Sequence, residues 1–334
     1  MTLVLREVHT VKIQRFGVSA AFVLAGALAL SACGGQQAES GSGSTGADGA
    51  AALSGSIASD GSSTVGPLTS AAAELFMTDN TGVQITVGTS GTGGGFKKFC
   101  AGQTQLSNAS RPIKDEEKAA CEAAGIEYQE LIVANDALTV VVNKENTFVK
   151  CLTVPELNTL WGPEATGKIT KWNQVNPAFP AEDIKLYGPG TDSGTFDYFT
   201  DVINGEEGAS RTDYEPSEDD NVIVQGVSGD KNALGYFGFT FYEENADALT
   251  AVQVDGGKGC VSPSSDTARD ATYTPLSRPL YVYVDKKAFA SNPALKGFVN
   301  YFIENETAIA EAAKFIPLSD EQKKTAQDEL AALG

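Results

Sequence analysis

The stretch DIKLYGPGTDSGTFDYF, residues 183–199, runs from a short apolar strand signal through a Gly/Ser/Thr loop into a helix signal. The same plan occurs at residues 54–77, SGSIASDGSSTVGPLTSAAAELFM, and at 83–100, VQITVGTSGTGGGFKKFC. In the first of these, Leu68, Ala72, Leu75 and Phe76 share one helix face. In the second, Val83, Ile85 and Val87 alternate as a half-buried strand does. Strands that alternate with helices must cover both faces of a sheet, so the pattern argues for an α/β fold with parallel strands. The remaining segments fit that plan. TQLSNASRPI reads as a strand and turn, and KDEEKAACEAAG as a helix stopped by Gly125. IVANDALTVVVN is a strongly apolar strand, and TVPELNTLW is a helix whose start carries a capping box of Thr153 and Glu156.

The N-terminus belongs to a different class. Arg6, Lys12 and Arg15 precede the apolar run FGVSAAFVLAGALAL, which ends in LSAC. That run is too short and too rich in Ala and Gly for a membrane span, and it matches a lipoprotein signal peptide over residues 1–33 that ends at a lipidated Cys33. Residues 34–54 are Gly, Ser and Ala rich, cannot bury a core, and read as a flexible tether. The 280 residues from 55 to 334 exceed one typical core and suggest two domains.

Charge and residue counts narrow the chemistry. The leader holds three of 24 basic and one of 43 acidic residues, which leaves 21 against 42 and a net charge of −21. Without a basic stripe to displace counterions, nucleic acid is not an expected partner. A small anion is compatible if its site is built from local neutral dipoles, because salt screens charge beyond roughly 8 Å. The single histidine, His9, lies in the leader. A Ser/His/Asp system and a His-ligated zinc site are thereby excluded from the mature chain, and no metal or cofactor is expected. Cys100, Cys121, Cys151 and Cys260 lack the C-x-x-C spacing of a metal site, so an exported chain would pair them in two disulfides. Three connectivities are open, and Cys100 with Cys121 and Cys151 with Cys260 is the one expected.

Three loops set small hydroxyl and glycine residues before a helix: DGSSTV (60–65), SGTGGG (90–95) and DSGT (192–195). A helix start presents unpaired N–H groups and about half a positive charge, which suits an anion. Any one such turn is ordinary N-cap chemistry, whereas three in one exported chain point to a ligand. Rival motifs lack their context. GPEATGK (162–168) has P-loop spacing, but Ile169 stands where Ser or Thr would hold magnesium. EPSEDDN (215–221) does not match a calcium loop and reads as a solvated turn.

Taken together and in order, DGSSTV, SGTGGGFKKFC, NASRPIKDEE, GKITKWN, GPGTDSGTFDYF, NALGYFGFTFY and PLSRPLYVYV resemble the phosphate-binding protein of bacterial high-affinity phosphate ABC transporters, from about Ser54 to the end. The resemblance implies a two-lobed periplasmic binding protein of type II, a Venus flytrap with its ligand cleft between lobes. With crossings near Asp136 and Ser277, lobe I would comprise residues 55–136 and 277–334, and lobe II residues 137–276. It implies a monomeric, extracytoplasmic lipoprotein that binds inorganic phosphate and delivers it to the permease subunits of an importer, without being an enzyme. Another oxyanion such as sulfate or molybdate is the alternative ligand, and a secreted phosphoesterase the alternative activity.

Carried over residue by residue, the implied ligand set is Ser63, Thr64, Val65, Ser90, Gly91, Thr92, Arg111, Asp192, Ser193, Gly194 and Thr195. In the best-known branch the loop matching ASRP carries an Asp, and an Arg precedes the Ser-Gly-Thr. Here the signs are exchanged between Arg111 and Asp192. Ser-Arg-Pro recurs at 277–279, where Arg278 reads as a solvated strand-end residue, so Arg111 is the cation expected in the site. Asp192 has two readings. As a cap it would merely start the helix. As a ligand it would accept a hydrogen bond from protonated phosphate and repel sulfate, which carries no proton.

Overall fold

The computed structural model describes residues 52–334. The signal peptide, Cys33 and nearly all of the tether lie outside the described residues. The chain runs β1 (Ser54–Gly61), α1 (Val65–Asp79), β2 (Gly82–Gly88), α2 (Thr92–Cys100), β3 (Leu106–Ala109), α3 (Asp115–Ala123) and β4 (Tyr128–Asn143). It continues through β5 (Cys151–Thr153), α4 (Val154–Trp161), α5 (Trp172–Val175), β6 (Lys185–Gly188), α6 (Gly194–Phe199), β7 (Glu215–Pro216), α7 (Asp220–Gly229) and β8 (Ala233–Gly238). Next come α8 (Phe239–Glu244), β9 (Leu249–Ala251), β10 (Gln253–Asp255), β11 (Cys260–Val261) and α9 (Ser265–Arg269). β12 (Ser277–Asp285), α10 (Lys286–Ser291), α11 (Pro293–Glu304), α12 (Glu306–Ala312) and α13 (Asp320–Ala331) complete it.

Local sequence explains most of these boundaries. Thr153 and Glu156 form the expected capping box at α4: Glu156 N–H donates to Thr153 Oγ1 at 3.3 Å and Thr153 N–H to Glu156 Oε2 at 2.8 Å. Gly125 takes φ +70° just past α3, a conformation that stops a helix without steric cost. On α1, Leu68, Ala72 and Phe76 are buried, but Leu75 is 46% exposed. The buried stripe extends instead toward Thr69 and Ala73, which leaves Leu75 at its edge.

The sheet is mixed, which corrects the expectation of parallel strands alone. A nine-stranded sheet has the order β2-β1-β3-β12-β4-β8-β6-β7, with β9 also on β4. The β1–β2, β1–β3, β6–β8 and β6–β7 pairs are parallel, as the strand-helix alternation requires. In this sheet the antiparallel pairs all involve β4 or β12, and a separate three-stranded sheet of order β11-β10-β5 holds one more, β10 with β11. β4 is 16 residues long, and its first part, Tyr128 to Ala137, pairs with β12 while Leu138 to Val142 pair with β8. One strand therefore serves two halves of the sheet, and β12 runs back beside it. A chain that passes out along one strand and returns along its neighbour must pair antiparallel there.

The fold has two lobes, and each half of the sheet carries its own core. One gathers β1, β2 and β12 with α1 and α11 around Phe76, Phe298 and Phe302. The other gathers the second part of β4, β8, α4 and α6 around Trp161, Trp172, Phe199 and Tyr236, the last two rings stacked at 3.9 Å. Disulfides join Cys100 to Cys121 and Cys151 to Cys260, the connectivity expected from the sequence. The first ties α2 to α3 and stabilises by about 3 kcal/mol in the chain-entropy view. Among the described residues no helix is long and apolar enough to cross a membrane.

Candidate functional site

β1 and β2 run in one direction in their half of the sheet and β6, through its pairing with β8, runs the opposite way in the other half, so the segments that follow their C-terminal ends, where ligands of open α/β sheets are bound, meet at one cavity. The loops after β1, β2 and β3, with the helix that follows β6, surround a cavity of about 590 Å³. Ser62 to Thr64 enter it from the start of α1, Ser90 to Gly94 from the start of α2, and Gly194 from α6. Gly91 lets the chain enter α2 at φ +75°, and no side chain caps that helix. The first-turn N–H groups of α2 have no intrahelical acceptor by position, in a stretch that lines the cavity, while the Thr92 hydroxyl accepts from Ser110 N–H at 3.2 Å. The start of α1 is partly self-satisfied, because Ser62 Oγ accepts from Thr64 N–H at 3.2 Å and Val65 N–H at 3.4 Å.

The two lobes meet across this cavity. A Cβ on Gly194 would come within 2.6 Å of Thr64 Oγ1 and 2.9 Å of its backbone N, so only glycine allows the approach. Thr64 Oγ1 reaches Gly194 O at 3.5 Å, and Ser63 Oγ donates to Asp197 Oδ2 at 3.4 Å. Beneath the second loop, Ser90 hydrogen-bonds Asp60, whose other oxygen takes Lys98 Nζ at 2.6 Å. Burial works to raise the Asp60 carboxyl, but Lys98 and Ser90 outweigh it and hold it below the ordinary range.

Three basic side chains, Arg111, Lys114 and Arg278, line the cavity. Arg111 is already engaged: Nη1 and Nη2 donate to the two Glu117 oxygens at 2.8 Å each, and Nη1 also reaches Pro112 O at 3.0 Å. That bidentate pair raises the Arg111 guanidinium above its usual range. Arg278 is the more enclosed, with 13% of its side chain exposed against 32% for Arg111. It donates from Nε to Asp136 Oδ2 at 3.2 Å and from Nη2 to Thr64 Oγ1 at 2.9 Å, and lies 3.5 Å over the Tyr198 ring. Burial pushes the Asp136 carboxyl up, and Arg278 opposes that shift.

Three acidic side chains, Asp197, Asp201 and Glu207, also line the cavity. Burial first, and then the charge of Glu207, raise the Asp197 carboxyl, against Ser63 and Arg278. Among the described residues no group of three or more His, Cys, Asp or Glu is placed to hold a metal ion.

Residues 46–306 match the model of a PBP superfamily domain. The protein SphX of Synechocystis is 50% identical over 268 residues, 80% of this chain and 80% of its own. The phosphate-binding protein PstS of Staphylococcus saprophyticus is 41% identical over 322 residues, 96% of this chain and 94% of its own. The chain belongs to the PstS and SphX family. A crystal structure described as a possible phosphate binding protein from Planctomyces limnophilus superposes with a TM-score of 0.81 at 46% identity, covering 84% of this chain and 99% of that one.

Against this PstS/SphX frame, the residues singled out in the sequence divide. Ser63, Thr64, Ser90, Gly91, Thr92, Arg111 and Gly194 line the cavity. Val65 is fully buried in the core behind it. Ser193 caps α6, accepting from Thr195 N–H at 3.2 Å, and neither residue lines the cavity. Asp192 is not brought into the cavity either, and its capping reading is corrected. Its side chain does not cap α6, because Ser193 does, and it is exposed outside the cavity. The turn before α6 aims instead at the start of α7, where Asp192 N–H donates to Glu218 Oε1 at 3.4 Å. Arg278 is the second correction, since it is enclosed at the cavity rather than solvated. No local sequence signal marked it, because its setting comes from the pairing of β12 with β4, which places Arg278 opposite Asp136.

Proposed function

We propose that this protein binds inorganic phosphate outside the cytoplasm and delivers it to the permease subunits of an ABC importer. The carrying observation is the pair of anion loops, the start of α1 and the uncapped start of α2, facing one cavity where the two lobes meet. PstS relatives named for phosphate binding, similar along nearly the whole chain, support the same ligand. The ligand set best supported is Ser63, Thr64, Ser90, Gly91 and Thr92 from one lobe and Gly194 from the other. Asp197 takes the role first read for Asp192, accepting a hydrogen bond from a protonated oxygen of the ligand.

The same reading takes residues 55–136 and 277–334 as lobe I and 137–276 as lobe II, with residues 1–33 a lipoprotein signal peptide and Cys33 the anchor of a monomer. The protein acts by binding and not by catalysis. Titration calorimetry with phosphate, arsenate, sulfate and molybdate tests the ligand. Phosphate should bind at least tenfold more tightly than sulfate, and a preference for sulfate or molybdate would replace phosphate as the cargo. Turnover of a generic phosphate ester would overturn the non-enzymatic reading.

A further inference from the structure

We propose that Arg278, and not Arg111, is the cation that meets the bound anion. The inference rests on the binding function above but concerns which side chain neutralises the ligand. A guanidinium has five N–H donors in a rigid fork. Arg111 spends two nitrogens on a bidentate carboxylate pair whose partner, Glu117, also accepts from Lys114 N–H at 2.8 Å and so closes the first turn of α3. Its charge is compensated, and its orientation is fixed toward α3.

Arg278 is held differently. Its recorded hydrogen bonds use one N–H at Nε and one at Nη2, which leaves both donors of Nη1 and one of Nη2 for the cavity that the side chain lines. Its other supports fix the plane of the fork: the Tyr198 ring lies against its face, and Tyr198 Oη is itself anchored to Pro275 O at 2.6 Å and Ser277 O at 3.2 Å. Nη2 also fixes the Thr64 hydroxyl, one of the anion-loop groups. A preset guanidinium with unspent donors facing an anion loop is what recognition of a tetrahedral oxyanion requires.

Asp136 makes this arrangement compatible with an acidic cavity. A lone buried guanidinium would be costly, and the carboxylate of Asp136, at 3.2 Å and not among the cavity-lining residues, compensates it. Arg111 and Glu117 form a bidentate pair, whereas Arg278 meets Asp136 through Nε alone.

The test separates binding from support. Arg278→Gln alone strands the Asp136 carboxylate, so the decisive protein is the double variant Arg278→Gln/Asp136→Asn, which keeps a hydrogen-bonding pair and the net charge. Circular dichroism and thermal melting establish that it folds, and calorimetry with phosphate gives its affinity beside wild type and Arg111→Gln. The expected result is a loss of at least a hundredfold for the double variant and less than tenfold for Arg111→Gln. A double variant that binds within tenfold of wild type, or a larger loss for Arg111→Gln, overturns the assignment. If the folded double variant is not obtained, Arg278→Lys replaces it: it keeps the charge but not the fork, and a loss below tenfold overturns the proposal. Should wild type prefer another oxyanion, the phosphate reading falls and the same variants are compared on that anion. A wild type that binds no oxyanion overturns both.

Discussion

At the scale of single residues, a carboxylate beside an anion weakens attraction and gains selection. Asp197 lines the cavity within reach of Ser63, and its raised carboxyl shows how poorly that setting tolerates charge. Phosphate near neutral pH carries a proton that such an acceptor can take, whereas sulfate leaves it unpaired, at a cost of about 1–3 kcal/mol or more for a charged group. Asp197→Asn should therefore shift the phosphate-to-sulfate affinity ratio toward sulfate by at least about tenfold. Asp192→Asn, on an exposed turn, should leave the ratio unchanged. Calorimetry of both variants checks this, and the opposite pattern would return the role to Asp192. The loops themselves were legible in the sequence, because glycine and hydroxyl residues before a helix have few other uses as a set of three. Which carboxylate faces inward was not, since it depends on Ser193 taking the cap and turning Asp197, three residues after Gly194, to the same side of α6.

At the scale of elements, helix starts gather charge that folding must tolerate. Glu218, Asp219 and Asp220 crowd the beginning of α7, where Asp219 caps the helix by accepting from Asn221 N–H at 2.9 Å. Burial first, then Asp219 and Glu218, push the half-buried Asp220 carboxyl up to about 6. A carboxyl with a raised folded-state pKa contributes stability that is full below its ordinary range near 3.8 and is lost as pH rises through 6. Unfolding by urea should thus show a gain of about 1 kcal/mol on going from pH 7 to pH 5, after allowance for partial exposure and the favourable helix start. Asp220→Asn should flatten that part of the pH dependence, and a variant with the wild-type slope would contradict the assignment. Helices and parallel strands were readable here from period and capping, as Thr153 and Glu156 illustrate. The antiparallel pairing of β4 with β12 was not, because it joins residues 128–137 to 277–285 and no local pattern encodes a contact that distant.

At the scale of the whole molecule, two cores share one sheet through β4 and β12, and the cavity opens where the lobes meet. Few groups bridge it directly: Ser63 to Asp197 and Thr64 to Gly194 at 3.4 and 3.5 Å are long contacts, and Arg278 adds Thr64 to Tyr198. An anion held by the starts of α1 and α2 on one side and by the α6 loop on the other would add short, charge-assisted bonds to both lobes, which an open form cannot make together. A ligand with more contacts in one state shifts the population toward it, and the two strands β4 and β12 are the segments about which the lobes can swing. Solution scattering should therefore show a smaller radius of gyration with saturating phosphate than without, and no change with sulfate at the same concentration. An identical radius in all three samples would mean that the lobes are already fixed, and that affinity arises without a hinge.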